Sequence, residues 1–291
     1  MGAYFPLLAA VIFPFVAMAL KRAMDAARDT YGVLCICNLA MALIFLPFIF
    51  RGAHEPSGPM IGQPLLAGFF FFLGQVAAFK SFQGELSIAI PVQGAKVLVV
   101  AFLSMLVLGQ HVSIRIWIAA GLSVAAIYIL QDRVAGEAGR KRRLATLIYS
   151  GLASVAFAAF DLTVQKWAPR WGAPGFGAWA FLFQALLSLS LLFFPGTKMH
   201  RYKAELWRWL ILGAGGMALI TLGLVLVIGA TGNATQVNLL FNSRCVWGVL
   251  FVWLTGKWFG NREAKKSGRG IMTHRLEGAG LMMAAIVLAL L

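Results

Sequence analysis

Apolar runs about as long as a bilayer is thick recur along all 291 residues, leaving no segment long enough for a sizeable soluble domain. In hydrocarbon each backbone N–H and C=O must be satisfied within its own segment, so runs of this kind form helices. Spans are expected at 1–20, 31–50, 60–79, 87–108, 113–130, 145–164, 174–195, 209–230, 234–255 and 277–291. Only 12% of the residues are charged, against about a quarter in soluble proteins. The expected fold class is an all-α polytopic membrane protein with about ten transmembrane helices. The first run has no basic segment before it, and Lys21-Arg22 follows it rather than a small-residue cleavage site. It reads as a span and not as a signal peptide.

The net charge of +15 is distributed as a topology signal. Even-numbered loops hold only Arg51, Arg115, Lys166 and Arg170, while the odd-numbered loops are densely basic, above all at Arg140-Lys141-Arg142-Arg143 and across 257–275. The positive-inside rule then puts the odd-numbered loops in the cytoplasm and both termini on the far side of a plasma (bacterial inner) membrane. No aromatic-rich basic domain exists to bind nucleic acid. Cys35, Cys37 and Cys245 lie in apolar segments, and His54, His111, His200 and His274 lie in loops. Neither a disulfide framework nor a metal site is expected, and no cofactor.

The two halves, 1–138 and 139–291, read as repeats. The run 61–81 falls on 209–229, Lys21 on Lys166, Asn38 on Gln184, and Lys96 on Arg244. Gly121-Leu122-x-x-Ala125-Ala126-Ile127 recurs as Gly280-Leu281-x-x-Ala284-Ala285-Ile286. Five helices per repeat is an odd number, so the halves insert in opposite senses. Inverted repeats characterise secondary transporters, whose substrate sites lie near the midplane between them.

A charge inside a span is costly and marks a functional candidate. Lys96 and Arg244 are the basic residues inside spans, and Asp161 is the acid well inside one. Lys96 either meets an anionic group of a substrate or is neutralised by Asp161. Gln93 lies three residues earlier, on roughly the same face. Asn238 and Asn242 share a face, but Arg244 lies about 200° around a regular helix from Asn242, so the three line one cavity only if that helix is broken. Arg244 either contacts substrate or pairs with Asp161. Asp161 itself is either a protonatable coupling site or, the favoured reading, a fixed counter-ion. Asn38, Gln75 and Gln184 sit mid-span and either contact substrate or join helices by hydrogen bonds. The run Phe69–Phe72 points in every direction around its helix and does not read as a substrate cage. Gly213, Gly215 and Gly216 read as permitting close helix contact.

Phe13 with Lys21, Leu86-Ser87-Ile88-Ala89-Ile90-Pro91-Val92, Leu108-Gly109-Gln110-His111-Val112-Ser113 and the Gly121-containing fifth span form an ordered set of motifs. In them the chain resembles the drug/metabolite transporter superfamily, specifically its EamA-type branch of two five-helix repeats. The chain departs from the family where Phe13-Pro14 stands for Trp-Gly, Gln110 for an acidic residue, and Thr255-Gly256-Lys257 for Leu-Gly-Glu. The resemblance implies a central cavity walled by the third, fourth, eighth and ninth helices with parts of the first and sixth. Phosphate-sugar and nucleotide-sugar carriers, relatives in that superfamily, use basic residues on the helices that carry Lys96 and Arg244. Many members place both termini in the cytoplasm, opposite to the charge count here.

The expected function is secondary transport of a small organic metabolite bearing an anionic group, by a protein that works as a monomer in the lipid bilayer. An exporter of amino acids or of cationic or neutral drugs is the alternative. A lipid-modifying membrane enzyme is a remote one, because no cluster of acids, histidines or metal ligands is visible.

Overall fold

The computed structural model describes residues 4–51, 60–109, 114–130, 137–194, 197, 202–261 and 263–288. Its helices are α1 (Tyr4–Ala27), α2 (Thr30–Phe45, continued by a 3-10 turn Leu46–Arg51), α3 (Gly62–Phe82), α4 (Leu86–Gly94), α5 (Lys96–Leu108), α6 (Ile114–Ile129) and α7 (Glu137–Trp171). They continue as α8 (Ala173–Leu189), α9 (Ala204–Leu210), α10 (Gly216–Thr231), α11 (Ala234–Phe241), α12 (Arg244–Thr255) and α13 (Glu263–Leu288). Three spans are made of two pieces in line. These are the fourth (α4 and α5), the eighth (α9 and α10, joined by a π turn at Ile211–Gly215) and the ninth (α11 and α12). Ten spans therefore exist among the described residues, and 8 of them are long and apolar enough to cross a membrane. Of the other two, α6 has 16 described residues, and the first half of α13 is charged.

Local chemistry sets the turns. Asp29 ends the tight connection between the first two spans, its carboxylate accepting from the Gly32 amide at 2.7 Å, an N-cap in place before the apolar run resumes. Between the eighth and ninth spans, Gly232 adopts φ 63°, and Asn233 then caps α11 by accepting from the Gln236 amide. A left-handed glycine followed at once by an N-cap reverses the chain in two residues.

Packing repeats the sequence symmetry. The third span lies against the sixth as the first lies against the eighth; the third meets the seventh as the second meets the eighth. The second and seventh, fourth and ninth, and fifth and tenth touch each other, so equivalent helices meet along a pseudo-twofold axis. Polar side chains mark that axis. Gln184 Nε2 donates to Asn38 Oδ1 at 2.6 Å across 146 residues, and Asn242 Nδ2 donates to the Gly94 carbonyl across 148.

Two expectations about helix ends are corrected. Arg140 to Arg143 are not in a loop but on the first turns of the 35-residue α7. Residues 263–276 are also helical, with a break at Gly268 (φ 77°), where a loop was expected. Glu263 and Arg275 explain that second stretch, because both are buried and both bind α4. The Glu263 carboxylate accepts from the Leu86 and Ser87 amides at 2.8 and 3.1 Å and from Ser87 Oγ at 3.0 Å, capping α4 from the other half of the chain. Arg275 donates to Ser87 Oγ at 2.6 Å and pairs with Glu85. Lys21 lies within α1 rather than at its end, and its Nζ donates to the Phe82 and Gly84 carbonyls that finish α3. Arg142 donates to the Gln83 carbonyl at 2.6 Å, and Arg143 approaches Glu85 at 3.5 Å. All these contacts gather at the ends of the spans that the odd-numbered loops join. Gln110, His111, Val112 and Ser113 lie outside the described residues, as do His54 and His200.

Small residues bring the helices together. A Cβ on Gly68 would overlap the Ala180 carbonyl oxygen, and one on Gly213 or Gly216 would strike Leu20 or Val16, whereas Gly215 faces open space. The third and seventh spans thus touch backbone to backbone at Gly68, where neither side can yield. Gly68→Ala is expected to lower stability by about 1–3 kcal/mol, read as a lower midpoint of thermal unfolding in detergent. Gly121→Ala, built into open space, is expected to leave that midpoint unchanged.

Candidate functional site

The fourth and ninth spans cross where each is broken. After Pro91, which has no amide hydrogen to donate, the chain tightens. Ala95 bonds back to Val92, and Leu98 bonds to Ala95 rather than to Gly94. The Gly94 carbonyl is left over and accepts from Asn242 instead. Asn242 and Ser243 form the break in the ninth span, with Cys245 bonding back to Asn242 and Val246 to Ser243. Gly94 must be glycine for this crossing, since a Cβ would run into Cys245 Sγ and crowd Asn242 Oδ1. Each break also rotates the residues beyond it. Lys96 and Arg244 each open the second piece of its span, at the positive end of that piece's dipole.

Both side chains line a central cavity. The first, third, fourth, sixth, eighth and ninth spans form its wall, the set that the resemblance implied. Most of the lining is apolar: Phe13, Phe71, Ala78, Phe82, Phe157, Phe160 and Phe241, then Met217, Ile220, Leu224, Val225 and Ile228 from the eighth span. The uncharged polar lining is Gln75, Gln93 and Thr221, and the charged side chains are Lys96, Asp161 and Arg244.

The three charges are not equivalent. Lys96 Nζ lies 2.6 Å from Asp161 Oδ2, and both side chains are at least nine-tenths buried. Asn238 Nδ2 donates to the same carboxylate oxygen, so it is joined to Asp161 and is not itself part of the cavity lining. Arg244 has no carboxylate partner among the described residues, and its Nε makes no hydrogen bond. Its guanidinium lies instead against two rings that meet edge to face, 4.6 Å from the Phe13 ring centroid and 4.2 Å from that of Phe241. It is buried all the same, at 5% exposure.

The remaining sequence candidates divide. Gln93 lines the cavity and donates to Ser81 Oγ at 3.1 Å; Gln75 lines it with its amide 3.7 Å from Met41 Sδ. Asn38 and Gln184 hydrogen-bond each other behind the lining, and Asn242 holds Gly94. Phe71 contributes to the wall, while Phe69 of the same run is exposed. Sequence reasoning did not single out the two rings around Arg244, although Phe13 stands at a family motif position. Nor did it find Thr221, whose hydroxyl lies within an otherwise featureless apolar run. Outside the spans, Tyr202 donates to Asp29 at 2.9 Å. Burial, and then the adjoining carboxylate, pushes its phenol above the ordinary range, so it remains a donor at neutral pH.

A buried cation whose only counter-charge is removed destabilises a fold far more than loss of the whole pair. Asp161→Ala is therefore expected to cost about 3–5 kcal/mol, and Lys96→Met together with Asp161→Leu to recover most of it. Thermal unfolding of the purified single and double variants measures both.

Residues 1–131 match the EamA-like transporter family. A search of curated proteins found none that matches. One solved structure, titled only "Crystal structure of protein", has the same fold at 15% identity, with a TM-score of 0.60 over 97% of this chain and 98% of that one. The first half of the chain is thus similar to EamA-like transporters, and six of the ten spans wall one cavity.

Proposed function

We propose that the protein carries a small organic anion across the membrane by alternating access, with the anion received at the crossing of the broken fourth and ninth spans. Arg244 carries this reading. It is a permanent cation buried in a cavity wall, with no carboxylate opposite it among the described residues and one nitrogen left without a partner. Lys96 adds positive potential, partly cancelled by Asp161, and the two helix starts add more. Asp161 serves as the fixed counter-ion of Lys96, Gln93 and Gln75 are polar wall contacts, and Asn238 and Asn242 hold the charged groups and the break in register. Asn38 and Gln184 join the halves on the axis.

Alternating access needs one end of the cavity closed at a time. The contacts of Lys21, Glu85, Glu263 and Arg275 gather at the odd-loop end, which the charge distribution assigns to the cytoplasm, so this conformation is the one closed on that side. Opening that side means separating α13 from the start of α4. No nucleotide-binding loop is present in the sequence, and the driving energy is an ion gradient, exchange, or the solute's own gradient.

The test is a thermal-shift screen of the purified protein against organic anions, amines and neutral amino acids, followed by flux measurements in proteoliposomes. A ligand at a hundred times its dissociation constant raises stability by about 2.7 kcal/mol. Anions are expected to stabilise the wild type and to fail with Arg244→Gln. Stabilisation by amines or neutral solutes alone, undiminished in Arg244→Gln, would overturn the anion reading. Product formation without flux would overturn transport.

The gate has its own consequence. In a background lacking Cys35, Cys37 and Cys245, a cysteine replacing buried Phe82 is expected to react slowly with a membrane-impermeant maleimide, and faster once Glu263→Gln removes the cap on α4. Equal rates would show that Glu263 does not hold this end closed.

A further inference from the structure

We infer that the transported solute is an amphiphilic monocarboxylate: one planar carboxylate on Arg244, and an apolar body among the surrounding rings. The inference deepens the anion reading above and rests on it.

Charge arithmetic gives the valence. The charged side chains of the cavity wall are Lys96, Arg244 and Asp161, two positive and one negative. The Lys96–Asp161 contact at 2.6 Å cancels one of each, leaving Arg244. A solute with one negative charge brings the closed cavity to neutrality. A phosphate monoester, with close to two negative charges near neutral pH, would overshoot, and an amino acid zwitterion would leave the cavity as charged as it was. Net charge in a low-dielectric chamber is the expensive quantity, so the neutralising ligand is favoured.

Geometry gives the anionic group its place. Phe13 and Phe241 lie close against the guanidinium, at 4.6 and 4.2 Å from ring centroid to its central carbon, and they meet edge to face, so they bracket one side of it rather than covering both faces. Its Nε is without a hydrogen bond. A guanidinium fork receives a carboxylate, or a phosphate, by two parallel N–H···O bonds, and the charge count above favours the singly charged carboxylate.

The rest of the wall gives the body. Beyond Arg244 the lining is mainly phenylalanine and branched aliphatic side chains, with Gln75, Gln93 and Thr221 as its neutral polar groups. A sugar or nucleotide would bring many hydroxyls and ring heteroatoms to a surface with few partners for them, at a desolvation cost for each. An aryl or branched alkyl chain fits that surface.

Five probes that share one aromatic body separate the possibilities: 4-phenylbutanoate, its methyl ester, phenylalanine, phenyl phosphate and phenethylamine. Binding to the purified full chain is read by thermal shift and by competition with flux in proteoliposomes. Phenylbutanoate is expected to bind most tightly, with the ester weaker by about tenfold to a hundredfold, the worth of a charge-assisted hydrogen bond. Arg244→Gln should abolish the difference between acid and ester, and Asp161→Asn, which adds one positive charge, should shift preference toward phenyl phosphate. Tighter binding of phenyl phosphate to the wild type overturns the monocarboxylate inference while leaving the anion reading standing. Tighter binding of phenylalanine overturns it in favour of a zwitterion. Binding of phenethylamine or the ester alone overturns both readings. The wild-type panel decides each of these even if a variant fails to fold.

Discussion

The cost of holding charge in hydrocarbon organises this molecule. Lys96 and Arg244 occupy equivalent positions in the two repeats, yet they are accommodated differently. Lys96 has Asp161 at 2.6 Å, with Asn238 steadying the carboxylate, while Arg244 has two aromatic rings beside it and no acid among the described residues. Each cation–π contact stabilises a desolvated cation by about 2 kcal/mol or more, against the several kcal/mol that burying an unpaired charge costs. The asymmetry is therefore incomplete stabilisation held in reserve at one point of the cavity wall. On the proposed reading an anionic solute would supply what the fold does not, and the fold's weakest point would coincide with the binding point.

The same reasoning explains why the helices break where they do. An unbroken fourth span would spend the Gly94 carbonyl on its own ladder and leave the Asn242 amide without that acceptor. The break frees the one and occupies the other, and it lets two spans cross with backbone nearly touching at Gly94. Equivalent residues thus solve each other's problem across the axis. Asn38 and Gln184 do so in part, the Gln184 amide donating to the Asn38 carbonyl oxygen while Asn38 Nδ2 and Gln184 Oε1 stay buried without a hydrogen bond. Inverted repeats make this possible, because any polar residue placed on the axis meets its counterpart.

The spans were legible because an apolar run of bilayer length has few alternatives, and the repeat because Lys96/Arg244 and Asn38/Gln184 keep their order in both halves. Helix ends were less so. Arg140 to Arg143, Glu263 and Arg275 read as loop residues by charge, yet the last two are buried on α4 and its cap, partners found more than 170 residues away in sequence. Charge alone signals water until the partner is known. The Arg244 face was an unresolved conflict for a regular helix, and the break at Asn242-Ser243 removes it; nothing in those two residues announces a break as Pro91 does. Lys21 was visible as a motif residue, but its work, capping the last carbonyls of α3, depends on a tertiary neighbour that no local pattern encodes.

The odd-loop end of the cavity and the packing deeper in are built from different chemistry, a difference that suits the proposed alternating access. At the odd-loop end the described contacts are ion pairs and charge-assisted hydrogen bonds to helix termini, each lost wholly when the partners separate by a few ångströms but replaceable by water. Deeper in, the third and seventh spans meet through Gly68 with no such exchange available, since water cannot substitute for packed backbone. A transition that breaks the first set and preserves the second moves the ends of the helices while keeping their crossing points fixed. Movement of that kind would change access to Arg244 without dismantling the pair at Lys96 and Asp161, whose separation inside hydrocarbon would be the costliest step the molecule could take.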